Sequence, residues 1–175
     1  MEIELEKTYL LKYLPADLAN FPFKEYIDIY LPTIAEHPCL RIRQKGQEYE
    51  ITKKYPVQGK DSSKQYEFTI SLTKDEFLEF AANIQGKRAR KLRYLYKYNN
   101  IPAEIDIYQD KLLGLIIADF EFKTLMEMEN FTMPEFCLIE VSQDKTMAGG
   151  MIVGKSYQDL KLFLDKKEYK PLFKY

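Results

Sequence analysis

The chain contains few of the residues that histidine or thiolate metal sites require. Its 175 residues include two cysteines, one histidine and no tryptophan. Cys39 and Cys137 lie far apart and form no CxxC pair, so neither a disulfide framework nor a thiolate zinc site is predicted, and both thiols are expected to be reduced and partly buried. His37 alone cannot form a multi-histidine site and, beside Pro38, is interpreted as structural. Any metal must therefore be held by carboxylates.

Long apolar runs and a large excess of one charge are also missing. The longest purely apolar stretches, such as 115–118 and 137–139, fall far short of the roughly 20 residues of a membrane span, so no membrane partner is expected. The first residues alternate acidic and apolar side chains, unlike a secretory leader, which predicts a cytoplasmic location. The near-neutral charge balance argues against the broad basic face that nucleic-acid polymers require.

Apolar residues make up 46% of the chain and charged residues 30%, which is typical of a folded protein and predicts one domain over 1–175. Most of the patterning has a period of two, as in half-buried strands. Turn-forming residues separate these segments and favour hairpins in an antiparallel sheet. The alternating segments are 3–6, 40–43, 66–72, 92–94, 104–107, 119–122 and 139–142.

Two helices are predicted. The first follows Thr73, whose hydroxyl can form a capping box with Glu76. The second is predicted from Ser156 to about Asp165, and the basic tail at about 166–175 is expected on the surface. The apolar stripes of the two helices are Phe77, Leu78, Phe80, Ala81 and Ile84 in the first and Leu160, Phe163 and Leu164 in the second.

The charges on the polar faces of the strands are sorted by sign. Acidic pairs and basic pairs occupy different segments, so like charges two residues apart repel on one face. Such sorting is tolerable on a fully hydrated sheet face, or useful if a divalent cation binds the acids and a polyanion binds the bases. Carboxylate ligands favour Mg²⁺ or Mn²⁺. The pairs are Glu4 with Glu6, Glu104 with Asp106, Asp119 with Glu121, Arg41 with Arg43, and Lys91 with Arg93.

Residues 149–156 match the phosphate-binding pattern GxxxxGK[ST] letter for letter. A P-loop must leave a buried parallel strand directly and open a helix within a larger sheet. Here the preceding strand is predicted to end near Ser142, and little chain follows the helix predicted from Ser156. The glycines are therefore interpreted as a turn into the last helix. Lys155 is either a late basic ligand or a solvated lysine.

The ordered series of charged strands resembles CYTH domains, the triphosphate tunnel metalloenzymes. The similarity covers nearly the whole chain and depends on many weak motifs in sequence order. These motifs are 4–10, 40–46, 49–54, 91–94, 104–108, 119–122 and 140–142.

The resemblance implies an α+β, mainly β fold: a closed antiparallel eight-stranded barrel with a few peripheral helices, whose polar faces point inward. It implies a metal-dependent phosphohydrolase that cleaves the terminal phosphoryl group of tripolyphosphate or an organic triphosphate, with Mg²⁺ or Mn²⁺ as cofactor. The implied metal ligands are Glu4, Glu6, Asp119, Glu121 and Glu140. The implied substrate ligands are Arg41, Arg43, Lys54, Lys91, Arg93 and Lys155. The implied catalytic residues are Glu4, Glu6, Lys54 and Asp106, with Glu67 as a further interior carboxylate.

The chain departs from the family pattern at several positions. The usual ExExK motif has Thr8 in place of its lysine, Ser63 and Gln65 stand where Arg and Glu are common, and Ser142 follows Glu140-Val141 where a threonine is expected. Two alternatives therefore stay open: an adenylate cyclase of the same family, or a non-catalytic polyphosphate or nucleotide binder. The sequence also leaves open the oligomeric state, with a homodimer among the options.

Overall fold

A computed structural model of the chain describes residues 2–57 and 61–174. The strands are β1 (Glu2–Leu11), β2 (Phe23–Leu31), β3 (Leu40–Lys45), β4 (Glu48–Pro56), β5 (Lys64–Leu72), β6 (Lys87–Tyr98), β7 (Ile101–Tyr108), β8 (Ile116–Phe122) and β9 (Cys137–Glu140). The helices are α1 (Lys74–Asn83), α2 (Leu125–Asn130), α3 (Gly149–Ile152) and α4 (Tyr157–Lys166). No helix among these residues is long and apolar enough to cross a membrane.

The strands close into a barrel. Each neighbour in the order β5-β4-β3-β2-β6-β7-β8-β1 pairs antiparallel, and β1 also pairs with β5, which joins the two ends. The edge of β1 that meets β5 at Glu2–Leu5 meets β9 further along, from Tyr9 to Leu11. Eight strands thus form the predicted antiparallel barrel, and β9 extends it at one end.

Strand alternation explains why the barrel has a charged interior. In β1, Glu4, Glu6 and Thr8 face inward while Tyr9 and Leu11 pack outside. The outward side chains form two apolar clusters, one of them beneath α1, where Phe77 packs against Ile42 of β3 and Ile29 of β2. Apolar surface is therefore buried on the outer side of the strands, and the polar side chains occupy the interior of the barrel.

One end of the interior is apolar. The inward residues Leu10, Tyr30, Ala89, Tyr108 and Ile117 pack there with side chains from the segment that follows β9. That segment contributes Met147, Ile152, Val153, Leu160 and Leu164. The charged cavity therefore occupies the remainder of the barrel.

Both predicted helices are confirmed, the first with its predicted capping box of Thr73 and Glu76. Ser156 and Asp159 form a second capping box at the start of α4. The predicted stripe of α1 is partly wrong, because Leu78 and Phe80 are exposed while Phe77 is buried. A ten-residue helix lying on a curved sheet buries a narrower face than the full stripe.

The tail is not entirely on the surface. Tyr169 is buried, and its hydroxyl donates to the Gly114 carbonyl at 2.9 Å and accepts from the Ile116 amide at 2.8 Å. These bonds attach the segment after α4 to the start of β8. The last residue of the predicted tail, 175, lies outside the described residues.

Candidate functional site

The charged cavity inside the barrel has a volume of about 380 Å³. The side chains of the described residues that line it include nine carboxylates and six lysines or arginines, a formal excess of three negative charges. The carboxylates are Glu4, Glu6, Asp28, Glu50, Glu67, Glu104, Asp106, Asp119 and Glu121, and the bases are Arg41, Arg43, Lys45, Lys54, Lys91 and Arg93. The structure thus brings together all but two of the predicted site residues.

The acidic wall is built by the adjacent strands β1 and β8. Glu6 lies directly opposite Glu121 in the register, and Thr8 lies opposite Asp119. Burial, with added repulsion from Asp119 and Glu4, raises the pKa of Glu6 to about 7. Burial, with repulsion from Glu104 and Glu4, also raises the pKa of Glu121 to about 7. Desolvation raises the pKa of Glu4 and of Asp119 as well. The wall therefore holds more negative charge than its surroundings compensate.

Lys54 is the cation nearest to this wall. Its ammonium contacts the Glu4 carboxylate and lies 3.1 Å from Glu67 Oε2. Burial opposes the charge of Lys54, but Glu6 and the neighbouring acids outweigh it and hold the lysine pKa above its usual value. One lysine thus faces several carboxylates, which leaves negative charge for a divalent cation to neutralise.

The basic wall is formed by Arg41 and Arg43 of β3 and by Lys91 and Arg93 of β6, and most of its charge is already paired. Arg43 donates to both oxygens of Asp28, at 2.5 and 2.9 Å. Arg93 donates to both oxygens of Asp106, at 2.7 and 2.6 Å, and Lys91 also contacts Asp106. Burial alone would raise the pKa of Asp106, but Arg93 and Lys91 together lower it. These pairs form a continuous buried network across β3, β2, β6 and β7.

Arg41 differs from the other basic residues. Its Nη1 donates to the Tyr30 hydroxyl at 3.0 Å, whereas its buried Nε has no hydrogen-bond partner among the described residues. A buried guanidinium donor without an acceptor is costly. An anion in the cavity would supply one.

Sequence reasoning missed the inward row of β2, which is Tyr26, Asp28 and Tyr30. The signal was present, because Ile27-Asp28-Ile29 alternates apolar and polar residues. Two of the three inward residues are aromatic, so the strand lacks the like-charged pair that marks its neighbours.

Two predicted ligands do not reach the cavity. Glu140 lies opposite Tyr9, an outward residue of β1, so its side chain is on the outer side, 3.8 Å from Lys7 Nζ. Glu140 as a metal ligand therefore stays a prediction from the resemblance that this register does not support, since directly paired residues share a face. Lys155 lies in the turn between α3 and α4 and is not among the residues that line the cavity.

Three of the positions that depart from the family pattern, Thr8, Ser63 and Gln65, have uncharged side chains that form hydrogen bonds. Thr8 Oγ1 donates to Asp119 Oδ1 at 2.7 Å, and the Thr8 amide donates to Ser142 Oγ at 3.0 Å. Ser63 donates to Asp61 through both its amide and its hydroxyl. Gln65 lines the cavity but donates to the Ser62 carbonyl. None of the three adds a positive charge, which leaves Lys54 as the main counter-charge of the acidic wall.

The acidic wall fits a hard divalent cation by its chemistry. Glu4, Glu6, Asp119 and Glu121 offer only oxygen donors, and their raised pKa values reflect desolvated, mutually repelling carboxylates. Among residues 2–57 and 61–174, no three acidic, histidine or cysteine side chains converge closely enough to form a ready-made metal cluster. Binding would therefore require these side chains to turn toward the ion.

Comparison with known proteins agrees with this geometry. The CYTH domain family model matches residues 7–136. An inorganic triphosphatase from Nitrosomonas europaea is 31% identical over 144 residues, which is 81% of this chain and 91% of the relative. The crystal structure of the inorganic triphosphatase NE1496 superposes with a TM-score of 0.65 at 23% identity, covering 89% of this chain and 97% of that one. A putative adenylate cyclase from Bacillus halodurans has the same fold, with a TM-score of 0.56 at 17% identity over 73% of this chain and 84% of that one.

Proposed function

Because this chain belongs to the CYTH domain family, we propose that it is a divalent-metal-dependent triphosphatase that releases the terminal phosphate of tripolyphosphate or an organic triphosphate inside the barrel. The observation that carries the proposal is the division of one cavity into an undercompensated acidic wall and a basic wall with an unsatisfied buried donor on Arg41. The 31% identical relative, named an inorganic triphosphatase, supports the same reaction class.

The charge balance gives the reason for metal dependence. Nine carboxylates against six bases would repel a triphosphate that entered alone. Glu4, Glu6, Asp119 and Glu121 would hold Mg²⁺ or Mn²⁺, which supplies charge neutralisation at the phosphate oxygens. The metal and the substrate are therefore expected to bind interdependently.

The residues of the chain contribute by position and charge. Arg41 would bind phosphate oxygens through its free Nε, and Lys54 would bridge between the acidic wall and the phosphate. Arg43, Lys91 and Arg93, held by buried acids, would present a fixed basic surface to the rest of the substrate. Glu6 and Glu121, as ligands of the metal, would keep the ion beside the terminal phosphate, where the reaction develops charge.

One observation favours a second candidate, a non-catalytic polyphosphate binder. Thr8 stands where the family commonly has a lysine, and its hydroxyl is used by Asp119. A site without that cation could retain affinity and lose turnover. The cyclase alternative has only the shared fold of a putative adenylate cyclase in its favour. The cytoplasmic location stays a prediction.

Product analysis distinguishes the three functions. Purified protein is incubated with tripolyphosphate or ATP, in Mg²⁺, in Mn²⁺ and in EDTA, and the products are followed by phosphorus NMR. Orthophosphate from tripolyphosphate with either metal, and none in EDTA, is expected. Pyrophosphate with a cyclic nucleotide from ATP would identify a cyclase. Saturable binding without product would identify a binder.

A further inference from the structure

The central strand of the basic wall, β2, carries no basic side chain within the cavity. It lies between β3, which supplies Arg41 and Arg43, and β6, which supplies Lys91 and Arg93. Four cations on two strands separated by a single strand repel one another strongly in a desolvated cavity. Asp106 already pairs with Lys91 and Arg93, and the groups that hold Arg43 beside them are on β2.

Tyr26 lies between two of these cations. The guanidinium carbons of Arg43 and Arg93 each lie 4.9 Å from the centre of the Tyr26 ring, and Lys91 Nζ lies 6.0 Å from it. The ring is 6% exposed. Each guanidinium is within the range of a cation–π interaction, which strengthens when the partners are desolvated. The hydroxyl of Tyr26 makes no hydrogen bond within the described residues, so its contacts with the three cations are made by the ring.

Asp28 holds the same group of cations by charge. Its two oxygens accept from Arg43, and Oδ2 also lies 3.8 Å from Lys91 Nζ. Asp28 is 4% exposed, and its two oxygens are engaged by Arg43 and Lys91. Asp28 fixes the Arg43 guanidinium, since a bidentate pair sets both the distance and the plane of that group.

We propose that Tyr26 and Asp28 are positioning residues for the basic wall: they hold Arg43, Lys91 and Arg93 at a fixed spacing, so that the triphosphate meets preorganised donors. This role rests on the proposed function. Neither residue needs to touch the substrate. Preorganised charge lowers the barrier because the site does not have to reorganise during the reaction.

The first test compares Tyr26→Leu with the matched control Tyr26→Phe. Phe keeps the ring and loses only a hydroxyl without a partner, whereas Leu removes the cation–π contacts. Nitrogen-15 NMR of the ligand-free protein is expected to show slowly exchanging side-chain Nε–H signals for Arg43 and Arg93 in the wild type and Tyr26→Phe. In Tyr26→Leu those signals should broaden or vanish. The kcat on tripolyphosphate should fall about tenfold in Tyr26→Leu and stay within about twofold in Tyr26→Phe.

The second test uses Asp28→Asn, which keeps the shape and removes the charge. Loss of one negative charge makes the cavity more attractive to a polyanion, so KM for tripolyphosphate should fall. The released Arg43 and Lys91 lose their fixed geometry, so kcat should fall as well, by about tenfold or more. A merely structural aspartate would not lower both parameters, because partial unfolding reduces kcat with KM unchanged.

The outcomes separate the two proposals. Absence of turnover in the wild-type protein would contradict the proposed function, whatever the NMR of the free protein shows. Unchanged arginine signals in Tyr26→Leu, together with wild-type kcat, would overturn the positioning role and leave the triphosphatase proposal intact. If Tyr26→Leu fails to fold, the split between KM and kcat in Asp28→Asn decides.

Discussion

The acidic and basic residues of the cavity differ in how fully their charge is compensated. Asp28 and Asp106 each accept bidentate hydrogen bonds from an arginine. Glu6 and Glu121 face further carboxylates, and burial together with that repulsion raises the pKa of each to about 7. The acidic wall is therefore under electrostatic strain that protonation or a cation relieves, whereas the basic wall is already close to neutral.

The raised pKa values predict an unusual pH dependence of stability. A carboxyl group whose pKa is about 7 in the folded protein and near its usual value of about 4.3 in the unfolded chain binds more protons when folded. The free energy of unfolding of the metal-free protein should therefore fall as the pH rises from about 5 to about 8 on account of these groups, and level off above. Urea unfolding in EDTA at several pH values measures this fall.

Glu6→Gln is the control for that prediction, because it removes one of the two groups and keeps the shape. The fall in unfolding free energy between pH 5 and 8 should be smaller in Glu6→Gln than in the wild type. A difference of the opposite sign, or identical pH profiles, would show that Glu6 has an ordinary pKa. His37 remains in both proteins, so the comparison cancels its contribution.

Thr8→Lys should strengthen triphosphate binding. Thr8 lines the cavity beside Asp119, so a lysine there would reduce the excess of negative charge. We expect KM for tripolyphosphate with Mg²⁺ to fall by about tenfold, as one added charge–charge hydrogen bond is worth about 1.5–3 kcal/mol. Thr8→Met, which is also longer than threonine but uncharged, is the control for size. Equal KM values for Thr8→Lys and Thr8→Met would contradict the charge argument.

At the scale of elements, the strands with like-charged inward pairs could be predicted from the sequence, and the others could not. Local alternation assigned the inward faces of β1, β3, β6, β7 and β8 correctly, since a period of two is a property of each strand alone. The face of Glu140 depends on its pairing with Tyr9, 131 residues away along the chain, and no local pattern encodes that register. The inward face of β2 was not predicted, because its inward side chains are two aromatic rings and a single acid.

The segment that resembles a P-loop is instead part of the apolar end of the barrel. A side-chain carbon at Gly150 would lie 2.2 Å from the Pro38 carbonyl oxygen and 2.8 Å from the His37 ring. At Gly149 it would lie 2.6 Å from the Tyr30 hydroxyl. These glycines allow α3 to approach the barrel closely, and phosphate binding is not needed to explain them.

Gly150→Ala should destabilise the protein. Helix propensity alone would favour alanine by about 1 kcal/mol, whereas the clash with a backbone carbonyl should cost about 1–3 kcal/mol. The free energy of unfolding, measured by urea titration, is therefore expected to fall. A rise in that free energy would show that the contact with Pro38 relaxes easily.

At the scale of the whole molecule, the barrel divides into an apolar end and a charged remainder. The strands β1, β2, β6, β7 and β8 each contribute inward side chains to both parts. The apolar end contains aromatic and aliphatic side chains from these strands and from the segment after β9, and it supplies stability, which the repelling carboxylates do not. The fold can therefore keep an acidic wall whose charge is not fully compensated.

The comparison of two adjacent lysines tests the central claim, that the chemistry occurs inside the barrel. Lys54 faces the cavity and contacts Glu4, whereas Lys53 on the same strand is exposed on the outside. With tripolyphosphate and Mg²⁺, Lys54→Ala should release orthophosphate about 100-fold more slowly than the wild type, because a charged phosphate contact is lost. Lys53→Ala should stay within about twofold. Equal rates in the two variants would contradict a reaction in the barrel interior.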